Sequence, residues 1–354
     1  MNYEYLEVKV HELEEPLLEE YLDFQEKYHI MECSYFDREP EILRSREFRR
    51  KNLKVPPRKN STSLRIIVRG DSGIVGRGIA SFTTTEVNTN SDFIWFDINV
   101  LPEHQQKGIG STLYTKLLEF AKRHGKTKIG GSLYHNSHPY APTWLEQMGF
   151  KLKMKEKISR IYKDEINWDF IKSKADLEEK LKKYTILQLS QEEYYVRIRD
   201  EKGFAAKMAD FYTEVDNLLP LEGLELNERV ITKKDLKDRA DRYFSVENHW
   251  DSMTFYLLDG EKVIALSETY FPNDLPLRDI GTGFTAVRKA YQRQGIATYL
   301  KIKVLQYYTE NYPSFEYIQT ENASSNEGML GINLALGFHP YFESHAYQKK
   351  LEEN

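Results

Sequence analysis

Cysteine is nearly absent from this sequence: among 354 residues there is one, Cys33. A lone thiol forms no intramolecular disulfide, and no Cys/His cluster has the spacing of a zinc site, so a reducing compartment and a fold without disulfide or zinc support are expected. Cys33 sits in the helix-like segment MECSYFD with no motif around it, and reads as a buried, inert thiol. Long apolar runs are missing as well. None approaches the roughly 20 residues of a membrane span, and the N-terminal MNYEYLEVKVHELEEPLLEEYLDF is acidic, without the basic and apolar regions of a signal peptide. A cytoplasmic protein with no membrane span is the expectation. Positive charge is not in excess, since 50 Lys and Arg against 55 Asp and Glu leave −5. That balance gives no general attraction for nucleic acid, although Arg44, Arg46, Arg49, Arg50, Lys51, Lys54, Arg58 and Lys59 form a local basic run.

What is present is an ordinary globular composition, 40% hydrophobic and 30% charged, in a chain long enough for two domains. It also contains a repeat. The segment beginning Gln105, QQKGIGSTLYTKLLEF, aligns with the one beginning Gln292, QRQGIATYLKIKVLQY. Both read Q-x-x-G-x-(small), with Gly108 and Gly110 in one copy and Gly295 and Ala297 in the other. Val100 and Val287 stand five residues before the respective Gln, and a Gly-Phe pair follows each turn, at Gly149 and Gly337.

After each turn the apolar residues recur at helical spacing, as Ile109, Leu113, Leu117 and Phe120 do in the first copy. Before each turn comes a hairpin and then a further strand. Each half is expected to run β-hairpin, β, α, β, α, β, with domains at 1–165 and 185–354 and a connecting helix over 166–184.

A strand that enters a glycine turn opening a helix makes an anion site, because the first-turn amides lack intrahelical partners and the helix dipole favours negative charge. Neither turn matches G-x-x-x-x-G-K-[ST] or G-x-G-x-x-G, which excludes the P-loop and the dinucleotide fingerprint. The Q-x-x-G-x-(G/A) turn after a strand, with Gly-Phe about 40 residues on, resembles the acetyl-CoA-binding motif of the GNAT N-acetyltransferases. With two copies the whole chain resembles a tandem GNAT protein, in layout similar to mycothiol synthase. The fold so implied is α/β of the α+β kind, two tandem domains, each a mixed and largely antiparallel sheet flanked by helices.

The resemblance implies acetyl-CoA as cosubstrate, with coenzyme A as product, and a small-molecule amine as acceptor. No nucleic acid, membrane or metal is implied, and the protein is expected as monomer or homodimer. In the C-terminal half the implied pyrophosphate contacts are Arg293, Gln294, Gly295, Ile296, Ala297 and Thr298, with the pantetheine arm along Thr285 and Val287. In the N-terminal half they are Gln106, Lys107, Gly108, Ile109, Gly110 and Ser111, with Ile98 and Val100 on the strand. Asn326 falls on a coenzyme-contacting Asn of the family, or is a helix N-cap, whereas the other half has His138 there. On that basis the C-terminal half is expected to be catalytic. The Tyr that protonates the departing thiolate in many members is replaced by Asn333 and Leu145.

Attack on a thioester needs a neutral amine, so a carboxylate that accepts its proton is sought near the diverging central strands. Glu268 and Glu321 are the candidates in the C-terminal half; Asp97, His135 and His138 are their N-terminal counterparts. The alternative function is a non-catalytic protein that binds or senses acyl-CoA, consistent with the missing Tyr in both copies. A related two-domain fold that transfers amino acids from aminoacyl-tRNA ranks behind both.

Overall fold

The structure, a computed structural model, describes residues 2–34, 44–87, 89–134, 140–273 and 276–351. The first half contains β1 (Glu4–Glu7), α1 (Leu17–Cys33), α2 (Arg46–Lys54), β2 (Ser61–Gly70), β3 (Gly73–Thr83), β4 (Phe93–Val100), α3 (Ile109–Arg123), β5 (Lys128–Tyr134), α4 (Ala141–Gln147) and β6 (Lys151–Tyr162). Two short helices follow, α5 (Trp168–Ser173) and α6 (Asp176–Leu181). The second half contains β7 (Thr185–Ser190), α7 (Gln191–Asp200), α8 (Phe204–Asp216), α9 (Lys233–Ser245), β8 (Trp250–Asp259), β9 (Lys262–Pro272), β10 (Asp279–Val287), α10 (Ile296–Asn311), β11 (Tyr317–Ala323), α11 (Glu327–Leu336) and β12 (His339–Lys350). The repeated order read from the sequence is therefore present in both halves. The connecting segment differs from the single helix expected over 166–184, because the chain breaks at Lys174–Ala175 and buries Ile171, Leu177 and Leu181 in the core of the second half.

Among the described residues twelve strands form one mixed sheet in the order β1-β2-β3-β4-β5-β12-β6-β11-β10-β9-β8-β7. Every neighbour pair is antiparallel except β4–β5 and β10–β11. The halves exchange their last strands: β6 pairs with β11 through Tyr162↔Tyr317 to Glu156↔Ala323, and β12 pairs with β5 through Ser344↔Tyr134 to Lys350↔Lys128. The chain boundary near residue 165 is thus not a boundary in the sheet.

Alternation along the strands sets what covers each face. On β2, Leu64, Ile66 and Val68 meet Leu113 and Leu117 of α3, whereas Ile67 faces the other way with Tyr21 and Leu22 of α1. In the second half Leu257 and Ala265 lie with α10 while Tyr256 and Leu266 lie with α8. One face therefore carries α3, α4, α10 and α11, the other α1 and α7–α9.

The basic run is matched by the acidic N-terminal segment. Arg46 pairs with Glu19 and Asp23, Arg49 with Glu26, and Arg50 with Glu15 and Glu19, which ties α2 to α1. Among the described residues no helix is long and apolar enough to cross a membrane.

Candidate active site

The two turns have the same local construction. Gln105 donates its Nε2 hydrogen to the carbonyl of Val100 at 2.9 Å, and Gln292 does the same to Val287 at 3.2 Å, so the repeated Gln locks the turn to the strand that precedes it. Gln106 (φ 57°) and Gly108 (φ 80°) both take the left-handed conformation, as do Arg293 (φ 64°) and Gly295 (φ 80°). Alternation of this kind turns successive amides to one side, and no side chain caps α3 or α10, so the first-turn amides remain available to an anion. Each turn also leads from a strand that splays from its parallel neighbour. Pairing of β4 with β5 ends at Trp95↔Gly130, and pairing of β10 with β11 at Gly281↔Gln319.

The halves differ in what lies over the turn. At Gly108 and Gly110 an added Cβ would meet no atom within 4 Å among the described residues, so they leave the turn open. At Gly295 it would come within 2.7 Å of Leu177 Cδ2. Leu177 belongs to α6, whose Glu178 accepts from the Tyr299 hydroxyl at 3.1 Å and pairs with Lys303, while Tyr184 just beyond donates to Gln294 Oε1 at 3.4 Å. At the far end Asn167 bonds the carbonyls of Leu336 and Ala335, fixing the linker against α11. The chain's own linker thus packs against the turn at Gly295, α10 and α11, where the sequence places a coenzyme site. Ile296 is in the core with it, Arg293 is exposed, and Ala297 and Thr298 are half-buried. Thr285 bonds Ser267 at 2.9 Å and Val287 packs on the same core. Asn326 caps α11 by accepting from Met329 N at 3.2 Å.

In the N-terminal half the open turn leads into a cavity of 710 Å³. Gln106, Gly108, Gly110 and Ser111 line one end, Ile98 and Val100 the middle, and Phe24, Tyr28, His29 and Glu32 of α1 the other, with Asp97 on β4 between them. Lys107 instead donates to the carbonyl of Glu103 at 2.6 Å, and Ile109 is buried under the sheet. Arg77 holds the polar end together. Its Nη2 lies 3.0 Å from Asp97 Oδ2, its Nε donates to Asn99 Oδ1 at 2.6 Å, and Asn99 Nδ2 donates to Tyr28 at 2.9 Å and to Asp97 Oδ1 at 3.2 Å. Burial and the nearby Glu32 and Asp97 push the Tyr28 phenol far above its usual range, so it stays protonated. Leu145 and Trp144 of α4 close the side of this cavity.

The two carboxylates singled out from the sequence lie elsewhere. Glu268 is half-buried on β9, where the pairing of β10 shifts between Thr282 and Thr285, and its Oε2 stands 2.8 Å from where a Cβ on Gly283 would be. Burial raises its pKa, against the Phe284 amide and Arg239, which lower it. Glu321 is exposed on β11 and bonds Glu156 of β6; burial, then Glu321 and Glu222, push Glu156 up to about 7. His135 and His138 lie outside the described residues. Cys33 is half-buried, with its Sγ 3.3 Å from His29 Nε2.

The sequence reading did not single out α1. Tyr21, Phe24, Gln25, Tyr28 and Glu32 recur there at three- and four-residue spacing, a stripe that faces β3 and β4 once the helix forms.

Residues 24–150 match the acetyltransferase (GNAT) family model. A tandem GNAT protein from the clavulanic acid biosynthesis pathway, solved without acetyl-CoA, superposes with a TM-score of 0.71 over 100% of both chains at 14% identity. The chain has the tandem GNAT fold. A GCN5-related N-acetyltransferase from Sphaerobacter thermophilus gives 0.64 at 12% identity, covering 99% of this chain and 96% of that one. A GCN5-related glucosamine N-acetyltransferase region of a fungal multi-domain β-N-acetylglucosaminidase gives 0.63 at 12% identity, covering 98% of this chain and 38% of that one. No curated protein matches the sequence.

Proposed function

We propose that the protein is an acetyl-CoA-dependent N-acetyltransferase whose working site is in the N-terminal half. The observation that carries this reading is the single 710 Å³ cavity that joins an open anion turn to a carboxylate-bearing pocket. The family match at residues 24–150 falls on the same half. Gln106, Gly108, Gly110 and Ser111 fit a pyrophosphate, since among the described residues no atom lies within 4 Å of a Cβ added at either glycine. The edge of β4 beyond Trp95, where pairing with β5 has ended, has backbone groups free to bond a pantetheine arm and one amide to stabilise negative charge on the reacting carbonyl. Bound there, acetyl-CoA supplies an activated acetyl thioester.

The chain's own part is to hold an amine and take its proton. An alkylammonium with a pKa of about 10 is mostly protonated at pH 7. Asp97, at the start of the splay, accepts that proton directly or through one water, and Glu32 across the cavity gives the arriving ammonium a second negative neighbour. Arg77 and Asn99 orient Asp97. Leu145 offers no proton to the departing thiol, which leaves as thiolate and is protonated by water; a thiol pKa of about 8.5 makes that step feasible. Asp97→Asn should lower kcat about 100-fold or more at neutral pH with coenzyme A affinity kept, and the deficit should shrink as pH rises and free amine becomes abundant. Full activity of Asp97→Asn across that range moves the role to Glu32 or water. The apolar Leu145 also favours a second reading, acyl-CoA held without turnover; thiol release that does not respond to any amine would select it.

A further inference from the structure

The sheet ends in β1 on one side and β7 on the other. An edge strand carries unpaired N–H and C=O groups that can template pairing with another chain, and proteins guard such edges with charge, shortness, proline or a bulge. β1 is guarded: it has only the four residues EYLE, and antiparallel pairing with its own copy about its centre would set Glu4 against Glu7. β7 has none of these guards. Its six residues, TILQLS, include no charge and no proline, and its register with β8 runs from Thr185↔Leu258 to Ser190↔Met253 without a shift.

The ladder defines the open side of β7. The Ser190 amide donates to Glu193 Oε2 at 2.8 Å, away from β8, and antiparallel pairing bonds every second residue to a given neighbour, so Ile186 and Gln188 also turn their amides and carbonyls outward. Among the described residues no backbone hydrogen bond outside the strand ladders reaches either one. Charge stands at the two ends of the strand, with opposite signs. Lys182 and Lys183 precede β7 and Glu192 and Glu193 follow it, all four exposed. Lys182 pairs with Glu179 and Glu193 closes the capping box of α7, whereas Lys183 and Glu192 have no ion-pair partner among the described residues.

We infer that β7 is the pairing edge for a second copy of this chain, joined antiparallel about a two-fold axis at Leu187 so that one sheet runs through both molecules. With the axis there, Ile186 of each copy exchanges both backbone hydrogen bonds with Gln188 of the other. The same order brings the basic end of each strand beside the acidic end of the other, and Lys183 of one copy near Glu192 of its mate; parallel pairing would bring like charges together. Using β7 twice closes the assembly as a dimer, whereas β7 on β1 would propagate into a fibre. One six-residue edge is a small interface, so the dimer is weak and depends on concentration.

The test is sedimentation velocity of the full-length protein over a concentration series at low salt. The parent should pass reversibly from monomer to dimer. Gln188→Pro removes an outward donor and spares the ladder to β8, so it should weaken association about tenfold or more, a change of about 1.4 kcal/mol, with Tm kept. Lys183→Glu and Glu192→Lys, both exposed, should each weaken it about threefold or more, and the double variant should return to within about twofold of the parent. That recovery is specific to self-pairing, because the two residues flank opposite ends of a strand about 20 Å long and meet only across the axis. A parent that stays monomeric throughout, association that every variant leaves within twofold, or a double variant that recovers nothing overturns the inference.

Discussion

Lys301 is 4% exposed on α10, its Nζ 5.4 Å from the ring centroid of Phe338. Burial lowers its pKa to about 8. Between that value and the usual lysine value near 10.4 the unfolded chain holds a proton that the native chain has released, so stability rises with pH across this window and the penalty is full below it. Lys301→Met should therefore stabilise the protein at pH 7 by roughly 2–3 kcal/mol, read as a rise of a few degrees in Tm, and the gain should fade by pH 10. An equal gain at both values would mean that the ammonium is solvated in the native state. Residues of this kind show the limit of reading by type. Gln105, Gly108 and Asn326 were legible because a turn and a helix start need particular backbone groups satisfied. Glu268 and Glu321 follow from strand position alone, which does not say what packs around each carboxylate.

At the scale of elements, the linker is where sequence and structure part. FIKSKADLEEKLKKYTI shows charge and helix-forming residues, and from these one connecting helix is the natural expectation. Its few apolar residues, Ile171, Leu177 and Leu181, instead dock on α10 and α11 and break the segment into α5 and α6. Docking depends on contacts more than a hundred residues away, beyond the reach of periodicity. Leu177→Ala should cost about 2–4 kcal/mol of stability by leaving a cavity over Gly295, and should add no second coenzyme site. A variant that binds two molecules of acetyl-CoA would show the linker to be a removable cover. The α1 stripe was missed for a different reason: its apolar and aromatic positions serve the core, and only the strands beneath reveal that Tyr28 and Glu32 also face a cavity.

Across the whole molecule, the exchange of β6 and β12 joins strands of both halves in one sheet. The repeat in the sequence showed two similar units; it carried no information on which sheet each last strand joins, since both candidate edges accept the same alternating pattern. Cut at residue 165, the N-terminal piece would have β6 without β11 and β5 without β12, leaving long unpaired edges. The pieces 1–165 and 185–354 should not fold separately, and the intact chain should melt in one transition seen alike by calorimetry and by far-UV dichroism. Two separable transitions, or a soluble folded half, would contradict the exchange. The central claim, that acetyl-CoA lies on the turn at Gly108 and not on the one at Gly295, is tested most directly by calorimetric titration of acetyl-CoA into the parent and into Gly110→Val, where an added Cβ meets no atom within 4 Å among the described residues. The parent should bind one molecule per chain, and the variant should lose that binding by at least about tenfold with its Tm kept; undiminished affinity in Gly110→Val, or two sites in the parent, would contradict it.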